Sequence, residues 1–145
     1  MSRGFWLMKS EPDAFSWSDL VRDGSTLWDG VRNYQARNHM RAMRVGDHAL
    51  LYHSISDKAV VGIMEVSAEA QPDPTAASGD WSVVTLVPLQ ALKAPVTLAT
   101  LKSDPALTDL PLIRQNRLSV MPLTAAHYDH ILHLGGFGRG PNSER

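Results

Sequence analysis

The segment from Trp28 to Arg44 concentrates side chains whose types could do chemistry. It contains one tryptophan, one tyrosine, two asparagines and four arginines. No carboxylate occurs between Gly30 and Gly46, so the segment is locally basic in a chain whose formal net charge is −1. The local charge, rather than the bulk charge, is therefore the feature that needs an explanation.

These residue types match the three parts of a nucleotide. An aromatic ring offers a face on which a base stacks, an asparagine amide offers a donor and an acceptor for the base edge, and arginines offer forked donors for phosphate. The alternative is purely structural. In that interpretation Trp28 and Tyr34 are core or surface aromatics, and the arginines form a solvated helix face. Composition alone leaves both interpretations open.

The whole-chain composition excludes several classes of protein. At 145 residues, with 43% hydrophobic and 20% charged residues, the chain has the size and composition of one globular domain. The absence of cysteine excludes disulfides, thiolate nucleophiles and cysteine-ligated zinc. A near-neutral charge argues against a protein that coats nucleic acid by electrostatics, so any such contact must be confined to a patch.

Domain organisation follows from the pattern near the C-terminus. We expect one domain over residues 1–137 and a flexible C-terminal tail over residues 138–145, because Gly135-Gly136 ends the last helical pattern. No apolar run is long enough to span a bilayer, and the N-terminus lacks the features of a signal peptide. The expectation is a monomer without cofactor or membrane contact, in the cytoplasm or associated with the nucleoid.

Hydrophobic periodicity predicts five strands and four helices. The expected strands cover residues 4–9, 49–53, 60–66, 81–87 and 117–121, and the expected helices cover residues 16–23, 33–44, 97–101 and 124–134. Pro88 is expected to lie where the fourth strand ends, at a sheet edge or bulge. Residues 105–111 are expected to be irregular. Short connections between most strands suggest a small curled sheet or barrel with helices at its ends.

Weaker motifs favour structural interpretations. His127, His130 and His133 fan over one side of the last helix, but no carboxylate motif accompanies them, so we expect no metal site. His53 and Ser54 are neighbours on a strand and point to opposite faces, so His53 cannot easily act as the base for Ser54. Catalytic residues are therefore not assigned.

Several longer motifs together resemble the EVE domain family. They are Trp6-Leu7-Met8-Lys9-Ser10-Glu11-Pro12-Asp13, Trp28-Asp29-Gly30-Val31-Arg32-Asn33-Tyr34-Gln35-Ala36-Arg37-Asn38, Val45-Gly46-Asp47, Tyr52-His53-Ser54, Gly62 to Val66, Pro72-Asp73-Pro74 and Arg117-Leu118-Ser119-Val120. The resemblance covers nearly the whole chain. It implies an α+β, PUA-like fold, a small mixed β-barrel of about five to six strands flanked by helices.

The resemblance also implies a site, because EVE domains are related to YTH domains, which hold a methylated base in an aromatic cage. Lys9-Ser10 resembles the Lys-Ser pair of the YTH pocket, Trp28 resembles its first cage tryptophan, and Trp81 is a candidate for the second. We expect Trp28 to form a stacking wall with Trp81 or Tyr34 opposite. The full expected base pocket is Ser10, Trp28, Asn33, Tyr34, His53, Ser54 and Trp81, and the expected phosphate contacts are Lys9, Arg32, Arg37, Arg41 and Arg117.

The leading hypothesis is a non-enzymatic module that reads a modified base, most simply a methylated one, of DNA or RNA. The identity of the base stays open. One alternative is a small-molecule or protein-interaction module that uses the same pocket. Another is a hydrolase acting on nucleotides, with Lys9, Glu11, Asp29 and His53 as its candidates, although no general base is set at a defined spacing from a nucleophile.

Overall fold

The computed structural model describes residues 3–137, and the tail expected over residues 138–145 lies outside the described residues. The strands are β1 (Phe5–Ser10), β2 (Thr26–Leu27), β3 (His48–His53), β4 (Ala59–Pro72), β5 (Ser82–Thr97) and β6 (Val120–Leu123). The helices are α1 (Trp17–Asp23), α2 (Tyr34–Ala42), α3 (Leu98–Ser103), α4 (Pro111–Arg114) and α5 (Ala125–Leu132), with a 3₁₀ turn at Pro105–Leu107 and a final turn at His133–Phe137.

The strands form one mixed sheet in the order β2-β5-β4-β3-β1-β6. The pairing of β1 with β3 is parallel, and the other pairings are antiparallel. The β4–β5 ribbon contains several register shifts, irregularities that bend a strand and increase its twist. The predicted α+β, PUA-like architecture is confirmed, but β2 and β6 are not paired with each other in the described part of the chain, so the sheet does not close into a barrel.

Local capping explains where the helices begin. Ser16 accepts a hydrogen bond from the backbone of Asp19, whose carboxylate in turn accepts from the Ser16 N–H, forming a capping box. Asn33, Thr97 and Thr124 each accept from a backbone N–H in the first turn of α2, α3 and α5. These caps satisfy donors that have no partner within the helix, and the expected helix starts at Ser16, Thr97 and Thr124 are confirmed.

The core lies between the sheet and the helices. The predicted stripe of α2 is confirmed, since Ala36, Met40 and Met43 are fully buried. They join Leu7 and Met8 of β1 in one hydrophobic cluster. No helix in residues 3–137 is long and apolar enough to cross a membrane.

Three expectations about the second half of the chain are wrong. The fourth expected strand does not end at Pro88, because β5 continues to Thr97. The expected bulge or irregularity at Pro88 is confirmed, because Pro88 pairs with Met64 at a register shift that tolerates its missing N–H. The segment from 105 to 111 contains a 3₁₀ turn and the start of α4 in place of irregular chain. The closing strand begins at Val120, later than expected.

Candidate functional site

A cleft lies where β1 ends and the chain turns towards α1. Its volume is about 400 Å³, which falls in the range of roughly 300–1,000 Å³ typical of small-molecule sites. The residues that line it are Lys9, Ser10, Ala14, Phe15, Thr26, Leu27, Trp28 and Asp29. The end of β1, the loop before α1 and the edge strand β2 therefore converge on one concave site.

The aromatic part of the cleft consists of Trp28 and Phe15. Their ring centroids are 6.2 Å apart and the rings are nearly perpendicular, at 89°. The backbone N–H of Trp28 donates to the carbonyl of Val84 at 2.9 Å, which fixes this wall to the sheet. Trp28 is only 8% exposed and belongs to the hydrophobic core. It is thus both a core residue and a wall of the cleft, a combination that neither sequence interpretation anticipated.

Ser10 holds the Phe15 loop against the end of β1. Its hydroxyl donates to the Phe15 carbonyl at 2.6 Å. The backbone N–H of Ser54 donates to the Ser10 carbonyl at 2.9 Å, which places Ser54 next to the cleft-lining end of β1. Because the Ser10 proton is already used, its oxygen faces any ligand in the cleft as an acceptor.

His53 has a different role from the one expected. Its Nε2 accepts from the backbone N–H of Trp17 at 3.1 Å, and its Nδ1 lies 2.9 Å from an Asp57 carboxylate oxygen. An Nε2 that accepts must be unprotonated, so Nδ1 carries the proton and donates to Asp57. Both ring nitrogens are occupied and His53 is buried. The expected contact between His53 and a base is therefore corrected to a structural link between β3 and α1.

The position of α1 depends on close packing at a glycine. The ring of Trp17 lies directly over Gly62 of β4, and a Cβ at Gly62 would overlap that ring. Together with the hydrogen bond to His53, this contact anchors the first turn of α1 on the sheet. Phe15 lies two residues before Trp17, so the same contacts fix one side of the cleft.

Lys9 lies at the boundary of the cleft. Its ammonium donates to the carbonyl of Asn116 at 2.8 Å, which connects the cleft to the loop before β6. Partial burial lowers the pKa of Lys9, since removal from water disfavours the charged form. The remaining ammonium protons can donate to a ligand.

Tyr34 and Trp81 do not stand opposite Trp28. They stack on each other, with ring centroids 5.0 Å apart and an interplanar angle of 17°. The Arg37 guanidinium lies 4.9 Å from the centroid of the Tyr34 ring, and the Arg32 guanidinium lies 5.6 Å from that of Trp81. The expected opposing wall is therefore corrected: none of the residues that line the cleft places a ring opposite Trp28, Phe15 flanks it edge-to-face, and Tyr34 and Trp81 form a separate aromatic stack with Tyr34 on the surface.

Three of the four arginines expected to hold phosphate already interact with aspartates of the β4–β5 connection. Arg32 lies 3.0 Å from Asp73, and Arg41 lies 2.6 Å from Asp80. Arg37 donates to the Asp80 carbonyl at 3.1 Å. The segment that is basic in the sequence is thus largely neutralised in the fold, by residues about forty positions away in the chain.

Asp73 is the centre of this neutralisation. One carboxylate oxygen accepts from the Gly30 N–H and the Arg32 guanidinium, and the other accepts from the Thr75 N–H and hydroxyl. Burial by itself would raise the pKa of Asp73, but the hydrogen bonds from Thr75, Gly30 and Arg32 outweigh it and hold that pKa well below its usual range. Asp73 thereby fixes the chain that follows Trp28.

Arg117 and Asn33 lie beside a second, shallower groove. Its volume is about 320 Å³, and its lining residues are Asn33, Gln35, Gln115, Asn116, Arg117 and Leu118. Asn33 uses its side-chain oxygen to cap α2, so only its amide N–H groups remain free. Arg117 is exposed and forms no ion pair within residues 3–137.

Two of the three histidines expected on the last helix, His127 and His130, pair with carboxylates. His127 lies 3.0 Å from Asp109, and His130 lies 2.7 Å from Asp104. No group of three potential metal ligands occurs in the described part of the chain. These pairs tie α5 to the segment that follows α3.

Sequence reasoning missed Phe15, Asp73 and Asp80. Phe15 stands alone between polar residues and has no motif, so only its contact with Trp28 reveals it. Asp73 lies in the Pro72-Asp73-Pro74 motif and could have been noticed as a carboxylate in a turn, but its partners lie in a distant segment.

Comparison with known proteins decides the family. The model of the EVE domain matches residues 4–134. The chain belongs to the EVE domain family. Human thymocyte nuclear protein 1 is 36% identical to this EVE domain over an alignment of 163 positions, gaps included, that covers 89% of this chain and 72% of the human protein.

Solved structures agree with this assignment. A crystal structure of an Agrobacterium tumefaciens protein superposes on this EVE domain with a TM-score of 0.91 and 41% identity, covering 93% of this chain and 94% of the other. The crystal structure of the human THYN1 protein in complex with 5-methylcytosine-containing DNA superposes with a TM-score of 0.85 and 35% identity, covering 92% and 98%.

Proposed function

We propose that this EVE domain binds nucleic acid without altering it and takes a modified base into the cleft beside Trp28. The observation that carries the proposal is the cleft itself, in which two perpendicular aromatic rings meet Lys9 and Ser10 in a volume of about 400 Å³. Trp28 provides the main wall for the base, and Phe15 confines it from the side. A family member crystallised with 5-methylcytosine-containing DNA supports the same class of ligand.

The polar groups of the cleft restrict which bases fit. The Ser10 oxygen is an acceptor, because its proton is used by the Phe15 carbonyl, and the Lys9 ammonium is a donor. A base that carries an exocyclic amine near a ring or carbonyl acceptor satisfies both groups. On the Watson–Crick edge, by which an extruded base is read, cytosine and adenine have this arrangement, whereas guanine places its amine beside an N–H donor. We therefore expect derivatives of these two bases to be the preferred ligands.

Contact with one methyl group gives little selectivity. Burial of a methyl contributes about 0.8 kcal/mol, which corresponds to roughly fourfold in affinity. Stronger discrimination requires that an unmodified base leaves a polar group unpaired or leaves part of the cleft lined by Trp28 and Phe15 unfilled. The shape of the cleft, more than the methyl contact, determines the preference.

The test is a binding assay with matched oligonucleotides. Fluorescence anisotropy would compare 5-methylcytosine with cytosine, and N6-methyladenine with adenine, in DNA and RNA of the same sequence. Preference for a modified member of a pair is expected. Mass spectrometry of the recovered oligonucleotide should show no chemical change, and cleavage or base conversion would instead support the hydrolase alternative.

Variants connect this binding to the cleft. Lys9→Met removes a charged donor, so we expect about tenfold or greater loss of affinity, in line with roughly 1.5–3 kcal/mol for a charged hydrogen bond. Lys102→Met removes an equal charge on α3 and should have little effect. Trp28→Phe is preferred over Trp28→Ala, because Trp28 is in the core and truncation would cost about 3–5 kcal/mol of stability. Equal binding by Lys9→Met and Lys102→Met would contradict the proposal.

A further inference from the structure

The segment that is richest in arginine, residues 32–41, is not the part of the site with unpaired positive charge. Arg32 and Arg41 are paired with Asp73 and Asp80, and Arg37 is bonded to Asp80. A phosphate that bound these arginines would have to displace or crowd a carboxylate. Arg117, in contrast, is exposed and no carboxylate lines its groove. A phosphate reaches Arg117 without such competition.

The groove beside Arg117 is also rich in unused amides. Asn33, Gln35, Gln115 and Asn116 line it together, and all four are exposed. The side chains of Gln35, Gln115 and Asn116 form no hydrogen bonds among residues 3–137, and Asn33 keeps its amide N–H groups. Carboxamides offer a paired donor and acceptor, which is the complement of an unpaired base edge.

Lys9 joins this groove to the cleft. Its side chain lines the cleft, and its ammonium donates to the carbonyl of Asn116, which is part of the groove. The backbone N–H of Lys9 donates to the Ser119 carbonyl, so β1 and the loop before β6 are held together at two points. The two concavities are therefore neighbours with a fixed relative position.

We infer that the groove formed by Asn33, Gln35, Gln115, Asn116, Arg117 and Leu118 binds the strand that flanks the base held in the cleft. This inference rests on the proposed function and specifies the path of the nucleic acid. Arg117 contacts a phosphate of the flanking strand, and the carboxamides contact the edge of the adjacent base. The strand leaves the cleft past Lys9 and does not cross the arginine face of α2, which Arg37 and Arg41 form.

The first experiment separates the groove from the cleft by ligand length. Binding is measured for a modified mononucleoside and for a single-stranded octamer with the same modified base at its centre. Trp28→Phe should weaken both ligands. Arg117→Gln should weaken only the octamer, by about five- to eightfold at 0.1 M salt if one phosphate contact is lost, and should reduce the slope of log affinity against log salt by about 0.7.

The matched control is Arg37→Gln, which removes the same charge from the arginine face of α2. It should leave both the affinity for the octamer and the salt slope nearly unchanged. Gln115→Ala should reduce octamer affinity by about two- to tenfold when the adjacent nucleotide has a base, since one hydrogen bond is lost. It should have no effect when that nucleotide is abasic.

The outcomes distinguish the two proposals. If the parent protein binds the octamer with a preference for the modified base, but Arg117→Gln binds like the parent and keeps its salt slope, the path through the groove is wrong and the proposed function stands. If Arg37→Gln flattens the slope instead, the strand crosses α2. If the parent protein binds neither ligand, both proposals fall.

Discussion

Replacement of Asp73 by asparagine tests whether one buried carboxylate organises the chain around the cleft. Asp73 connects the loop between β4 and β5 to the segment that begins at Trp28, through two acceptor positions on each carboxylate oxygen. Asparagine has the same shape but only one oxygen. It cannot accept from both sides, so the substitution removes acceptors without leaving a cavity.

The expected loss of stability follows from which donors lose their partner. If the amide oxygen of the new side chain faces Gly30 and Arg32, its NH₂ group can donate to the Thr75 hydroxyl, but the Thr75 N–H loses its acceptor. A buried donor without a partner costs about 1–3 kcal/mol. The bonds from Gly30 and Arg32 also lose their charged acceptor, which about halves their strength. We expect the free energy of unfolding to fall by about 3 kcal/mol.

The dependence on pH provides a second, independent measurement. The pKa of Asp73 is lower in the folded state than in the unfolded state, where it is about 3.9. The unfolded state therefore binds the proton first as the pH falls. The contribution of Asp73 is fully present above about pH 4 and is lost in more acidic solution. The difference between the parent protein and Asp73→Asn should consequently shrink below about pH 4.

Urea unfolding followed by tryptophan fluorescence between about pH 3 and pH 7 would measure both effects. The control is Asp80→Asn, which removes the carboxylate that pairs with Arg41 but is 79% exposed, so the loss should be under about 1 kcal/mol. Asp73→Asn as stable as Asp80→Asn at neutral pH would refute the reasoning. So would a stability difference that stays constant over the whole pH range.

Two further predictions concern single backbone positions. Gly62→Ala should lower the free energy of unfolding by about 1–3 kcal/mol, because its Cβ overlaps the Trp17 ring and displaces α1. The same displacement should weaken binding in the cleft. Chemical denaturation and fluorescence anisotropy would check the two effects, and an unchanged stability would show that Trp17 moves freely. Ile55→Gly should raise the free energy of unfolding by about 1 kcal/mol, because Ile55 is exposed and has a φ of 71°, which a β-branched residue adopts only with strain. Ile55→Val keeps the strain, so thermal denaturation should show no gain in stability for that variant.

Features that depend on neighbouring residues were predictable from the sequence. The caps at Ser16, Thr97 and Thr124 use side chains three residues from their donors, so their patterns are local. The buried stripe of α2 was predictable for the same reason, since helical periodicity places Ala36 and Met40 on one face. Positions and types of these helices therefore followed from short stretches of chain.

The extent of β4 and β5 was not predictable in the same way. Their outer halves are largely exposed, apart from buried residues such as Leu92 and Val96, and they remain in the sheet because each pairs with the other across several register shifts. A proline such as Pro88 indicates an irregularity in the ladder but does not indicate whether the strand resumes after it. The pairing partner supplies that information.

The candidate site likewise combines residues that local motifs predicted with long-range contacts that they did not. Lys9, Ser10 and Trp28 were expected in the pocket or at its edge, and all three line the cleft. Other contacts in this region were not expected. Phe15 belongs to no motif, and His53 bonds to Trp17 of α1 and to Asp57 in the loop after β3. A sequence pattern identifies groups that could bind a ligand, but not whether the fold has already used their hydrogen-bonding capacity.

The difference between charged groups that could bind a ligand and charged groups that the fold has already paired matters most for function. The sequence suggests that Arg32, Arg37 and Arg41 attract phosphate, but the fold satisfies them with Asp73 and Asp80. An arginine already bonded to a carboxylate gains less from a phosphate, because binding must replace an existing charged contact.

A chain with a net charge of −1 that keeps only a few unpaired cations near its cleft cannot obtain high affinity from counterion release alone. Contacts with Lys9 and Arg117 would account for a salt slope of about two at most. Most of the binding free energy must then come from the base itself, through packing against Trp28 with Phe15 at its side. The distribution of charge therefore favours a protein that captures one particular nucleotide over one that coats a strand.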